Sequence, residues 1–142
     1  MIKVEAFEVA RHYKEIESWW KTQGWDALPP QMLPFGYVAL RENLGGREEM
    51  LAAAFVIGTD GALHVMEWIV GNPSVSYEER GLGIDAVVSA CLNHCKERGA
   101  SAVITTTKHE RLIERYKKMG FLETDTGMTH LVIPLYKKEI EN

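Results

Sequence analysis

Tyr77-Glu78-Glu79-Arg80-Gly81-Leu82-Gly83-Ile84-Asp85 decides the reading of this chain, because two glycines stand there between an apolar strand and a long amphipathic helix. Downstream, Ile84, Val87, Val88, Cys91, Leu92 and Cys95 recur at i, i+3, i+4, i+7, i+8 and i+11. That spacing predicts one apolar helix face reaching about Arg98, closed by Gly99. Upstream, Ala62 to Val70 (ALHVMEWIV) predicts a largely buried strand. A glycine-rich turn at a helix start leaves backbone N–H groups open, with the positive end of the helix dipole behind them, and such a turn holds phosphate. The stretch therefore points to a phosphate-bearing cofactor.

Composition narrows the classes. With 142 residues, 46% of them apolar, the chain suits one well-buried domain over residues 1–142. Charged residues at 25% are ordinary for a globular protein. Sixteen Lys plus Arg against twenty Asp plus Glu give a net charge of −4, which argues against a nucleic-acid-binding surface. The first residues lack the charged-then-apolar pattern of a signal peptide, and no apolar run reaches the roughly 20 residues that cross a bilayer. A cytoplasmic protein with no membrane partner is expected. Cys91 and Cys95 fall on the apolar face of the long helix and read as reduced core residues, with His94 pointing off that face and no metal site implied.

Outward from the central stretch, Ile2 to Phe7 alternates as a half-buried strand. Tyr13, Ile16 and Trp20 line one face of a helix over Arg11 to Lys21, with Trp19 at its flank and Gly24 at its end. Three prolines in Trp25 to Pro34 forbid a regular element there. Strands are predicted over Phe35 to Arg41, Met50 to Ile57 and Ala62 to Val70, and again over Ala100 to Thr107. A helix from Glu110 to Met119 precedes Gly120, and strands over Phe121 to Glu123 and Met128 to Leu135 close the pattern. Lys137-Lys138-Glu139 reads as a solvated tail. The order β-α-loop-β-β-β-α-β-α-β-β predicts an α/β (α+β) fold, a mixed and mostly antiparallel sheet with helices on both faces.

Gly81-Leu-Gly-Ile-Asp-Ala86 also fits the dinucleotide pattern G-x-G-x-x-A. Its context fits less well: Gly71 to Glu79 intervene between strand and glycines, and the next strand ends in threonines rather than an acid. A Walker loop, a zinc helix and a serine-hydrolase elbow are all absent. Taken alone, the glycines read as a plain helix entry.

The order of elements changes that balance. A strand meander, then Glu78-Glu-Arg-Gly-Leu-Gly83, then a strand, then His109-Glu-Arg-Leu-Ile-Glu-Arg-Tyr-Lys-Lys-Met-Gly-Phe121 resembles the GNAT superfamily of N-acetyltransferases. The resemblance runs from Ile2 to Leu135 and is strongest over Trp68 to Leu122. Three features depart from the family pattern: Glu78 stands where Gln or Arg is usual, His109 and Leu112 replace Asn and Ala, and Gly71 to Tyr77 is a longer link.

The resemblance implies acetyl-CoA as co-substrate and direct acetyl transfer to a primary amine on a small molecule or peptide. Arg80, Gly81, Leu82, Gly83 and Ile84 would hold the pyrophosphate through backbone amides, and Trp68, Ile69 and Val70 would hold the pantetheine arm as a strand holds its neighbour. Tyr116 would protonate the departing thiolate, and His109 would border the cofactor. Glu67 is the implied base; a lysine-like amine of pKa about 10.4 is neutral in only about one molecule in two thousand at pH 7. The Trp19, Trp20 and Trp25 region corresponds to the family's acceptor side, and a homodimer is compatible with it. A non-catalytic acyl-CoA-binding module of the same fold and a nucleotide-binding α/β domain are the alternatives.

Overall fold

The computed structural model describes residues 1–135; the Lys137-Lys138-Glu139 tail lies outside them. The chain divides into two compact units, Met1–Thr106 and Thr107–Asn142.

The first unit holds β1 (Ile2–Ala6), α1 (Val9–Thr22), β2 (Phe35–Glu42), β3 (Glu48–Ile57), β4 (Leu63–Gly71), α2 (Tyr77–Glu97) and β5 (Ala102–Ile104). A single 3-10 turn, Pro30–Met32, is the regular part of the proline loop. The strands lie in the order β1-β2-β3-β4-β5, the first four antiparallel and β5 parallel to β4. This is the mixed, mostly antiparallel sheet that the pattern predicts.

Helices cover both faces. Tyr13, Ile16, Trp19 and Trp20 of α1 pack with Val38, Leu40, Met50, Phe55 and Val70. Sealing a side chain such as Ile16 or Phe55 from water contributes about 1.5–3 kcal/mol. Successive strand residues point to opposite faces, so Tyr37, beside Val38, turns to the other side and meets His94 of α2. Val87, Val88, Cys91 and Cys95 of α2 are fully buried there. Between the helices runs β3, where Leu51, Ala52, Ala53, Ala54 and Phe55 are all wholly enclosed. Three consecutive alanines make this strand thin, and Gly83 of α2 comes down directly on Leu51 and Ala52.

Several expectations are corrected. The long helix begins at Tyr77, ahead of the glycines rather than after them, because Ser76 caps it: its Oγ accepts the Glu79 amide at 3.1 Å. The helix ends as expected, with Gly99 at φ +89° just beyond Glu97. The fifth strand keeps only three of its eight expected residues, the three that pair with β4. His94, expected off the Cys91 and Cys95 face, stacks on Phe35, ring centroids 4.5 Å apart, with Tyr37 Oη 3.2 Å from its Nδ1.

The second unit holds α3 (Glu110–Lys118), followed by Gly120 at φ +107°. No strand forms over residues 121–135, against the two expected there. Leu131, Val132, Ile133 and Leu135 are nearly fully exposed. β-Branched composition makes a strand only where a neighbour takes up its hydrogen bonds, and among the described residues these have no ladder.

Candidate active site

The candidate site of the first unit centres on β4. Ala53 pairs with Val70 and Phe55 with Glu67, so β4 carries one more residue than β3 across this interval. That is a β-bulge, and Trp68 in it has φ +57°, the sole positive φ of a non-glycine among the described residues. A bulky side chain in the left-handed region costs on the order of 1–3 kcal/mol and persists where the surroundings enforce it. The bulge withdraws backbone groups from the ladder and re-aims side chains. Glu67, opposite Phe55, lies on the α1 face of the sheet, where Trp68 also packs against the aromatic core. Two consecutive residues thus share one face.

On its other side β4 is paired over only part of its length. Pairing with β5 spans Leu63↔Ala102 to Val65↔Ile104 and stops, whereas β4 runs on to Gly71. Among the described residues no strand pairs with that side of Met66–Gly71. A strand edge of this kind offers N–H and C=O groups to an extended chain with amides of its own. Ile69 and Val70 are buried and Trp68 is partly so.

The entry of α2 differs from the expected phosphate turn. Arg80, Gly81, Leu82, Gly83 and Ile84 all lie inside the helix. The Arg80 amide donates to Ser76 O at 2.9 Å, and from there on each helical amide faces the carbonyl four residues back. Gly83 serves contact with the sheet: a Cβ on it would stand 2.6 Å from Leu51 Cβ and 3.3 Å from Ala52 Cβ. The G-x-G-x-x-A match at Gly81–Ala86 likewise forms no strand-to-helix turn. Arg80 Nη1 donates to Asn72 O and Val75 O, each at 3.2 Å, and stitches down the loop ahead of the helix.

Sequence reasoning passed over the group that anchors this helix. Arg41 donates from Nη1 to Glu79 Oε1 at 2.7 Å and from Nη2 to Glu49 Oε1 at 3.2 Å, tying α2 to β2 and β3. The Arg41 guanidinium, hydrogen-bonded to Glu79, holds that carboxyl below its usual value, with the Ser76 backbone N–H assisting. Ser76-Tyr-Glu-Glu79 is a Ser-x-x-Glu capping box, the signal that could have located the helix start.

Beside the end of β4, a hollow of about 450 Å³ opens between α1 and the β2–β3 turn. Glu15, Glu48 and Glu49 line it with Arg47, Trp19 and Asn72. Trp19 and Trp20 are otherwise core residues, while Trp25 is exposed.

In the second unit, Tyr116 lies on α3, buried, with its ring 5.0 Å from that of Phe121. His109 is the N-cap residue of α3, exposed, its own amide donating to Thr107 Oγ1 at 3.1 Å.

No protein-family model and no curated protein sequence matches the chain. Solved structures do. A glucosamine-6-phosphate N-acetyltransferase from Arabidopsis thaliana superposes with a TM-score of 0.67 at 16% identity, over 92% of this chain and 98% of that one. An acetyltransferase from Trypanosoma brucei gives 0.63 at 17%, over 93% and 100%. An aminoglycoside N-acetyltransferase in complex with CoA gives 0.62 at 14%, over 93% and 95%. The chain has the fold of the GNAT N-acetyltransferases.

Proposed function

We propose that this protein is an N-acyltransferase that moves an acetyl group from acetyl-CoA to a primary amine by direct transfer. The observation that carries the reading is the bulged, open-edged β4: a strained Trp68 at φ +57° beside a strand side with no described partner. Backbone strain of this kind collects at functional sites. An acyl-thioester arm laid along Trp68, Ile69 and Val70 would exchange main-chain hydrogen bonds with them, and the bulge would bring its carbonyl to amides outside the ladder.

The chemistry required of the chain is modest. The thioester supplies an activated acyl group. The amine must be neutral when it attacks, and Glu67, partly buried on the α1 face, is the proposed base that takes its proton, directly or through water. Tyr116 is the proposed acid; a phenol of ordinary pKa about 10 is protonated at neutral pH and donates as charge grows on sulfur. The acceptor would enter from the α1 side, where three carboxylates against one arginine suit a protonated amine.

Incubating the protein with acetyl-CoA and a panel of primary amines, while following free thiol, tests the reading. Amine-dependent thiol release, weakened in Glu67→Gln most strongly at low pH, supports it. CoA binding with no transfer to any amine would favour the non-catalytic module instead.

A further inference from the structure

We propose that this chain recognises its acyl donor through the pantetheine arm and not through the diphosphate, so that phosphate-free acyl-pantetheine thioesters serve as well as CoA thioesters. The inference rests on the acyltransferase reading above and concerns which half of the donor is held.

The two halves meet different surfaces. The arm has a bulge and, over Trp68 to Val70, a strand edge that no described strand covers. The diphosphate would need unengaged amides at the entry of α2, backbone that can approach closely, and positive charge. Two of the amides, one of the glycines and the arginine are engaged elsewhere. The Glu79 amide goes to Ser76 Oγ at 3.1 Å and the Arg80 amide to Ser76 O at 2.9 Å. Gly81 and Gly83 are buried, and Gly83 faces Leu51 of the sheet rather than a ligand. Arg80 Nη1 is engaged by two loop carbonyls, and its Cγ lies against Gly71. Glu78 and Glu79 put two carboxylates into the first turn; Arg41 pairs with Glu79, and Glu78 supplies the negative charge that compensates the helix dipole. A diphosphate placed there would meet the Glu78 carboxylate and, at Glu79 and Arg80, occupied amides.

The experiment is calorimetric titration of the full chain with acetyl-CoA and with S-acetylpantetheine, which ends in a hydroxyl where CoA carries its diphosphate. The two are expected to bind within about threefold of each other, a difference well under the 1.4 kcal/mol of a tenfold ratio, at both low and high salt. Acetyl-CoA binding about tenfold or more tighter, with the advantage shrinking as salt rises, would overturn the inference while leaving the acyltransferase reading intact. Binding of neither would instead remove the acyltransferase reading itself. Glu78→Gln, a change at an exposed position, supplies the second check. It should leave both dissociation constants unchanged, whereas a diphosphate seated at the α2 entry would bind more tightly once that carboxylate is gone.

Discussion

Replacing Gly83 by alanine sets two effects of opposite sign against each other, and the structure decides between them. In a solvent-exposed helix the exchange stabilises by about 1 kcal/mol, because glycine is the poorer helix former. Here the new Cβ would lie 2.6 Å from Leu51 Cβ, and 3.3 Å from both Ala52 Cβ and the Leu51 carbonyl carbon. These atoms belong to or adjoin the backbone of a central strand, so no side-chain rotation relieves the contact. Leu51→Ala would not help either, since Cβ itself is the obstacle. Forcing a methyl into such packing costs about 1–3 kcal/mol by experience with overfilled cores, and this contact is at the severe end. The net expectation is destabilisation of about 1–2 kcal/mol, seen in urea unfolding as a lower midpoint with unchanged slope. Gly58→Ala is the internal control: nothing lies within 4 Å of its Cβ position, so stability should stay level or rise by a few tenths of a kcal/mol. A Gly83→Ala protein as stable as the parent would refute the claim that this glycine exists for helix–strand contact.

Tyr116→Phe keeps the ring and removes the acid; turnover should fall on the order of 10²-fold with donor affinity unchanged, as separate kinetic and binding titrations would show. Cys91 and Cys95 should resist alkylation in the native protein and react on unfolding, since burial pushes the Cys91 thiol up to about 12 and raises that of Cys95 as well. Glu79 has a folded pKa below its ordinary 4.5, so its contribution is present above that value and lost as pH falls through the lower one. Acid unfolding of Arg41→Ala should accordingly show a smaller drop in stability below pH about 4.5 than the parent does.

Most of the architecture was legible because it rests on periodicity. Tyr13, Ile16 and Trp20 mark the buried face of α1, and Val87, Val88, Cys91 and Cys95 that of α2, whatever lies opposite them. The strands β2 to β4 were legible to within two residues at either end for the same reason. The start of α2 was harder. Glycine is read by default as a turn residue, and only the Ser76-x-x-Glu79 box signals that the helix is under way four residues before Gly81. Residues 121–123 and 128–135 read as strands from composition alone, which says nothing of a partner edge. Of the candidate site, Glu67 and Trp68 could be placed on a strand, but the bulge could not. It arises from the mismatch of register between β3 and β4, a property of two segments that neither sequence carries by itself. Arg41 was invisible for a related reason, as its partners Glu49 and Glu79 come from two other elements.

The alanine run in β3 has a bearing on tolerance to substitution. Positions 52–54 are wholly enclosed, so a larger side chain at any of them must push its neighbours aside. The same holds where Gly83 meets that strand. The middle of this sheet is set as much by the space it must not fill as by the atoms that fill it.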